Sequence, residues 1–316
     1  MTGGPDAVLV MGEALIDLVP APPGPDAEDA ADLLRAQPGG APANVAVALA
    51  RLGTPVSFAG GLGADGFART IEARLEAAGV GLTLTARSTH PTALAVADPG
   101  AHGTGYHFHL QDTATFELPE RTAEVSRFAA VYVGGLAAVV APAAEAVAAT
   151  ARAAAESSLL VVDPNVRQDR TLGPDHGHAR LRELCDLAHV VKASDEDLAR
   201  LWPDAEPEAT CRSLAAGGRL VVLTRGAGGS TAYPPTGPPV SVPAVPVDVV
   251  NTIGAGDAFT AAVLSALITS GAHRVGAAPA LSQEQVRETL AFAAGVAASV
   301  CGRAGTEPSV SQPARS

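Results

Sequence analysis

The sequence predicts an α/β fold, a mainly parallel sheet covered by helices on both faces, carrying a small β lid. Three observations support this. Short apolar runs alternate with longer Ala-rich segments over 7–79 and again from 129 onward, the pattern of successive strand–helix units. Those runs are continuously apolar, as strands buried on both faces are. Between the two stretches, 92–97 and 106–110 follow one another with no helical segment between them, so a β element interrupts the alternation.

The apolar run 7–11 is the first strand, continued by 14–19, and the Pro-rich segment 20–25 is a loop. Residues 44–52 read as a helix ended by Gly53 at a C-terminal cap position. A strand at 55–59 leads through a glycine turn to a helix at 67–78, closed by Gly79, and 81–86 is the next strand. Residues 92–97 and 106–110 form a hairpin across Asp98-Pro99-Gly100. Strands at 130–133, 159–163, 190–191 and 220–224 then alternate with helices at 143–155, 177–187, 195–201 and 208–216. A proline-rich hairpin spans 229–247, helices follow at 258–270 and 283–300, and a polar tail from Gly305 trails over the surface. The whole chain, 1–316, is expected to form one α/β domain whose lid comes mainly from 87–118 with part of 14–38. In open α/β sheets ligands bind beyond the carboxyl ends of the strands. A flap at that place excludes water from a reactive group.

Composition narrows the function classes. The 316 residues carry a net charge of −12 and show no basic face, so no nucleic-acid partner is expected. Lys192 is the only lysine, so cationic help for a bound phosphate comes from it, from arginines or from a metal. Cys185, Cys211 and Cys301 are odd in number, far apart and without a CxxC, which points to reduced thiols and a cytoplasmic location. No basic, apolar leader and no run suited to crossing a bilayer is visible, so no membrane partner is expected.

The most informative stretch is Asn251-Thr252-Ile253-Gly254-Ala255-Gly256-Asp257-Ala258-Phe259. Small residues at Gly254, Ala255 and Gly256 leave their backbone N–H groups uncovered where a helix begins. Such groups lack intrahelical partners and sit at the positive end of the helix dipole, so they hold an anion such as phosphate. Asp257 has the wrong charge to bind phosphate; it suits a base that takes a proton from a hydroxyl attacking that phosphate. The plainer alternative is a Gly-rich turn with a capping Asp.

Other motifs admit two readings each. In Gly39-Gly40-Ala41-Pro42-Ala43-Asn44, adjacent glycines let the backbone approach a ligand, and Asn44 offers a donor and an acceptor to a polyol or caps a helix. Asp17, near the end of the first strand, either meets a ligand hydroxyl or is a solvated loop residue. Asp163-Pro164-Asn165-Val166-Arg167 projects an aspartate, an amide and a guanidinium from one strand end, which suits a polar substrate, a phosphate or a surface turn. Thr224-Arg225-Gly226-Ala227-Gly228-Gly229-Ser230 follows a strand with no helix after it, so it is a hairpin against which a nucleotide could lie. Gly61-Leu62-Gly63-Ala64-Asp65-Gly66 fits the dinucleotide fingerprint but is not at the first strand, and Arg87 stands where the acidic ribose partner belongs. His107 and His109 share one strand face but lack a third metal ligand, and His176 and His178 lie in a loop.

Together these segments resemble the ribokinase-like (PfkB-type) carbohydrate kinases, over nearly the whole chain. One signature runs from Gly39-Gly40 through Asn44, Ala48 and Leu52-Gly53 to Gly60 and Asp65-Gly66; the other is 252–259. Gly12-Glu13-Ala14-Leu15-Ile16-Asp17, 38–44 and 163–167 look most like the fructokinase branch, with 2-keto-3-deoxygluconate kinases as near relatives. The resemblance implies Asp257 as base and Gly254, Ala255 and Gly256 as the anion hole. It implies sugar contacts from Asp17, Gly39, Gly40, Asn44, Asn165 and Arg167. It places ATP against Lys192, Ser194, Thr224, Arg225, Gly226 and Gly229, with Gly254 and Gly256. Mg²⁺ is expected, with Asp197 of Ser194-Asp195-Glu196-Asp197 acting through water. K⁺ is a further expectation at Asn251, where the family usually has Asp. Relatives often dimerise through the flap, so a homodimer is also expected.

The resulting expectation is transfer of phosphate from ATP to a hydroxymethyl group of a ketohexose, fructose giving fructose 6-phosphate. A 2-keto-3-deoxygluconate kinase would want cationic contacts from the flap, where Tyr106 to Asp112 holds histidines and no arginine. A sugar or nucleotide sensor on the same fold would be expected to lack the base.

Overall fold

The computed structural model describes residues 4–20, 33–98, 105–167, 176–273, 279–303 and 307–308. The body is built on β1 (Gly4–Met11), β4 (Val56–Ala59), β9 (Phe128–Gly134), β10 (Leu159–Asp163), β11 (Val190–Ser194), β12 (Leu220–Thr224), β13 (Ser230–Tyr233) and β14 (Val240–Val242). They form one eight-stranded sheet in the order β14-β13-β12-β11-β10-β9-β1-β4. The ladders from β4 to β12 are all parallel; β13 and β14 add an antiparallel edge.

Eight helices accompany the strands among the described residues: α1 (Ala41–Arg51), α2 (Gly66–Ala78), α3 (Ala143–Ser157), α4 (His178–Leu187), α5 (Asp195–Leu201), α6 (Pro207–Ala216), α7 (Ala255–Thr269) and α8 (Gln283–Cys301). Alternate residues of one strand feed two different cores, as the period of two requires. Leu9 and Met11 join Val131, Val133, Leu160 and Val162 under α3 to α6. Val8 and Val10 join Ala130, Tyr132 and Val161 under α1, α7 and α8. Both faces being covered explains why the strands are uniformly apolar. Helix α7 is buried along nearly its whole length, and its alanines at 258, 261 and 262 allow α1 and α8 to approach closely.

A separate four-stranded sheet forms the lid, in the order β3-β2-β7-β8, from β2 (Leu15–Pro20), β3 (Leu34–Gly39), β7 (Leu94–Asp98) and β8 (Gly105–His109). The run 14–19 therefore does not extend the first body strand. The body ladder ends at Met11, and the chain turns to pair with β3 and β7 instead. Two lid strands come from 15–39, so that stretch contributes as much as the later one. The segment 81–86 is not a full strand: Gly81 makes a single bridge to Ser57, and only Ala86–Arg87 (β6) pairs with Gly61–Leu62 (β5). The turn residues Pro99 and Gly100 and the loop 21–25 lie outside the described residues.

The tail also differs from the surface segment expected. Glu307 pairs with Arg51 at 2.7 Å and with Arg74 at 3.3 Å, and Pro308 is buried. Polarity alone reads as solvation; here it serves two arginines on neighbouring helices.

Candidate active site

The site lies at the carboxyl ends of the parallel strands, where the N-terminus of α7 meets the lid. Gly254 at the N-cap has φ 79°, which a side chain would resist, and it turns the chain directly into the helix. The helix begins at Ala255, earlier than the apolar pattern indicates, so Gly256 and Asp257 lie in its first turn. Ala255 donates its N–H to Thr252 O at 3.2 Å. Among the described residues, the N–H groups of Gly256 and Asp257 have no protein acceptor. The Ala255 amide is therefore occupied, while that of Gly256, also expected in the anion hole, is open to an anion together with that of Asp257. A Cβ on Gly256 would stand 3.5 Å from Lys192 Nζ, so the only ammonium in the chain lies beside these amides.

Lys192 on β11 and Asp163 at the end of β10 form a buried ion pair of 3.0 Å. Thr260 on α7 donates its hydroxyl to the same Asp163 oxygen at 3.0 Å. Burial works against the charge on Lys192, but Asp163, Asp197 and Asp257 outweigh it and raise its affinity for the proton. Lys192 is thus a fixed cation beneath a helix terminus that is already positive.

Asp257 is only 5% exposed and accepts a hydrogen bond from Asn44 Nδ2 at 2.9 Å. Burial pushes its carboxyl upward, opposed by Asn44 and by the charges of Arg167, Lys192 and Arg74. Asn44 does not cap a helix. Helix α1 starts at Ala41 behind Gly40, with Pro42 in its first turn, which places Asn44 inside the helix with its side chain toward Asp257. Gly40 has φ 97°, and a Cβ there would lie 2.6 Å from Glu13 O, so the turn that delivers α1 needs glycine.

Two cavities meet at this helix terminus. One, of about 470 Å³, is lined by Asp17, Gly40, Asn44, Arg167, Asn251, Gly254 and Asp257, with Tyr106 and Phe108 from the lid. The other, of about 700 Å³, is lined by Lys192, Ser194, Asp197, Thr224, Gly226, Gly229 and Ala255, with apolar walls from Val245, Val247, Ala294 and Ala298. Asn165, Arg167, Thr252 and Gly256 border both. Asn165 Oδ1 is buried without a hydrogen-bond partner among the described residues, an acceptor left open at this seam.

A model of the pfkB family carbohydrate kinases matches residues 6–313. The chain belongs to the pfkB family of carbohydrate kinases. A fructokinase from Rhizobium leguminosarum bv. trifolii is 31% identical over 266 residues, covering 82% of this chain and 79% of its own. A fructokinase from Xylella fastidiosa with bound ATP superposes with a TM-score of 0.83 at 31% identity, over 95% of this chain and 94% of that one. A fructokinase from Vibrio cholerae in a fructose, ADP and calcium ion bound form gives 0.79 at 27% identity, over 95% and 94%.

As in any carbohydrate kinase, the acceptor alcohol and the phosphoryl donor must be brought into line with water excluded. Most of the residues expected at the site line one of the two cavities, with three qualifications. Arg225 turns away from the larger cavity to pair with Glu208 at 2.8 Å and to donate to Thr231. Gly39 lines neither cavity; its backbone lies against the Asp17 carboxylate, where a Cβ would collide. Asp17 itself lies on lid strand β2, not at the end of a body strand. Asp197 accepts from Val166 N–H, Ser194 N–H and the Ser194 hydroxyl, completing a capping box at the start of α5. Asn251 Oδ1 accepts from Ile253 N–H at 3.0 Å, so the amide closes a local turn. The Gly61–Gly66 glycines serve packing: Asp65 caps α2 and binds Thr92, tying the helix to the start of the lid hairpin.

Sequence reasoning missed Glu13, Tyr106 and Phe108. Tyr106 and Phe108 alternate with His107 and His109 on β8, so the aromatics face the cavity and the histidines are exposed. Period-two alternation carries that signal once the inward face is known. Glu13 is buried at the cavity floor, accepts from Leu136 and Ala137 N–H, and is raised by burial to about 7. Nothing in the sequence distinguishes it from a solvated loop carboxylate. Among the described residues no group of three or more His, Cys, Asp or Glu side chains is placed to hold a metal, and no helix is long and apolar enough to cross a membrane.

Proposed function

We propose that this carbohydrate kinase transfers the γ-phosphoryl group of ATP to the 6-hydroxyl of fructose. The observation that carries the reading is the position of Asp257, on the smaller cavity, one residue beyond the amide of Gly256 that borders both cavities. The sugar occupies the smaller cavity under Tyr106 and Phe108, with Asp17, Asn44 and Arg167 around it. ATP occupies the larger one, its base between the apolar walls and its phosphates pointing to Lys192 and the α7 terminus.

Asp257 takes the hydroxyl proton as the alcohol oxygen bonds to the γ-phosphorus. The bond from that phosphorus to the bridging oxygen breaks, and ADP leaves with the electron pair. The free amides and Lys192 hold charge on the transferring oxygens, the larger part of catalysis in phosphoryl transfer. Mg²⁺ arriving with the nucleotide would balance charge on the phosphate oxygens. Among the described residues there is no dense acidic cluster, which suits an ion that would keep its waters and take substrate phosphates as ligands. Asp197 has both oxygens bonded within the protein, so it would hold that ion through water.

The lining charges favour a neutral sugar. Among the described residues lining the smaller cavity, Glu13, Asp17 and Asp257 stand with one cationic side chain, Arg167, a balance that disfavours the carboxylate of 2-keto-3-deoxygluconate. A coupled ADP-release screen over fructose, other ketoses and 2-keto-3-deoxygluconate tests the proposal, with ³¹P NMR to locate the ester. Fructose is expected to give the highest kcat/KM and a 6-phosphate. No turnover with any sugar, or preference for the acid sugar, would overturn the assignment.

A further inference from the structure

Resting on the reading of Asp257 as base, we propose that Arg74 is a positioning residue that locks the Asn44 amide toward Asp257, and that Glu307 holds Arg74 in place.

Arg74 lies on α2, outside both signatures though on the helix that the first one opens, with its side chain 14% exposed. Its Nη1 and Nη2 both donate to Asn44 Oδ1, at 3.1 Å each. Nη1 also donates to Pro38 O at 3.0 Å, at the entry to the Gly39-Gly40 turn. Glu307 closes the arrangement by accepting from Arg74 Nε at 3.3 Å and from Arg51 on α1 at 2.7 Å. One acidic residue near the C-terminus therefore ties α1 and α2 together around Asn44.

The chemistry of the donors makes this a lock. A guanidinium has five N–H donors and no acceptor, so only the carbonyl end of Asn44 can face it. The amide NH₂ is thereby turned to Asp257, where it donates at 2.9 Å. That bond stabilises the ionised carboxylate, the form a base needs. Without Arg74 the amide can rotate by half a turn and present its oxygen to Asp257. Two acceptors then face each other, a contact relieved only when Asp257 holds a proton. The ionisable groups facing Asp257 are Arg74 from α2, Arg167, Lys192 from β11, Asp17 from the lid, Asp163 from β10 and Tyr132 from β9. Of these, Arg74 is the one bonded to Asn44.

The test is a ¹³C titration of the Asp257 carboxyl in the full chain without substrates, assigned by its loss in Asp257→Asn. The pH profile of kcat/KM for fructose runs in parallel. Arg74→Met is expected to raise the Asp257 midpoint by about one pH unit and to lower kcat at neutral pH by up to about tenfold, leaving the ATP KM within about twofold. Arg74→Lys, which keeps the charge on a single donor nitrogen in place of the guanidinium fork, should recover part of both. In an Asn44→Ala background, adding Arg74→Met should move the midpoint by less than half as much, because the intermediary is gone. Glu307→Gln should give a smaller shift in the same direction, and it reports even where Arg74→Met fails to fold. An unmoved midpoint in both Arg74→Lys and Glu307→Gln, or an equal Arg74→Met shift with and without Asn44, would overturn the proposal. The carboxyl titration needs no turnover, so a failure of the kinase reading shows separately, as absence of sugar phosphorylation with the midpoint shift intact.

Discussion

Asn44 and Asp257 stand 213 residues apart in sequence and share a hydrogen bond of 2.9 Å in the buried centre of the molecule. The bond joins the first turn of α7 to α1, and so joins the two signature segments into one site. Each segment alone reads as a glycine turn before a helix. Together they place a carboxylate against a donor that favours its ionised form.

Asp17 is raised by burial to about 6, with Arg167 and Arg74 pulling down and Asp257 pushing up. In the proposed site the ionised Asp17 carboxylate is the stronger acceptor for sugar hydroxyls, the protonated acid keeping only part of that capacity. The fructose KM should therefore rise as pH falls below about 6, with the ATP KM little changed. Steady-state kinetics from pH 5 to 8 check this, and Asp17→Asn should give a high fructose KM that no longer varies over that window.

Glu13 offers a stability test. Its folded value of about 7 lies above the ordinary 4.5, so the folded state holds the proton more tightly. That contribution is complete below about 4.5 and is lost as pH rises through 7. Between those limits the wild type should lose roughly 1–3 kcal/mol more stability than Glu13→Gln. Urea unfolding at pH 5 and pH 8 measures the difference. Equal pH slopes for the two proteins would contradict it.

Lys192 supports both fold and site. Lys192→Met leaves Asp163 buried beside Asp197 and Asp257 without its cation, and should cost about 3–5 kcal/mol. Lys192→Met combined with Asp163→Asn should recover a large part of that loss while the ATP KM stays raised. Thermal unfolding with and without ATP separates the two effects.

Asn251 bears on monovalent cations. A neutral amide already bonded to Ile253 N–H offers little to K⁺. Replacing Na⁺ by K⁺ should change kcat by less than about threefold, and Asn251→Asp, which adds a charge, should increase that response. Strong K⁺ activation of the wild type would contradict this account.

Most of the body was legible because its strands are buried on both faces and its helices end at glycines such as Gly53 and Gly79. Asp257 and the Gly254–Gly256 turn stand out in the sequence because small residues beside a single carboxylate suit the proposed chemistry. The lid was less so. Residues 15–20 are as apolar as a body strand, and only their pairing with β3 and β7 reveals the change of sheet. The resemblance places Arg225 against ATP with the rest of its glycine loop, and its pairing with Glu208, which only tertiary packing creates, turns it away from the larger cavity. Arg74 and Glu307 carry no local pattern at all; only tertiary packing brings them to Asn44.

The most direct test of the central claim is single-turnover phosphorylation of fructose by Asp257→Asn against the wild type, with ATP binding followed by calorimetry. The account predicts a rate lower by roughly 10²–10⁴ with ATP affinity retained. Near-normal turnover in Asp257→Asn would remove this carboxylate from the chemistry and contradict the account.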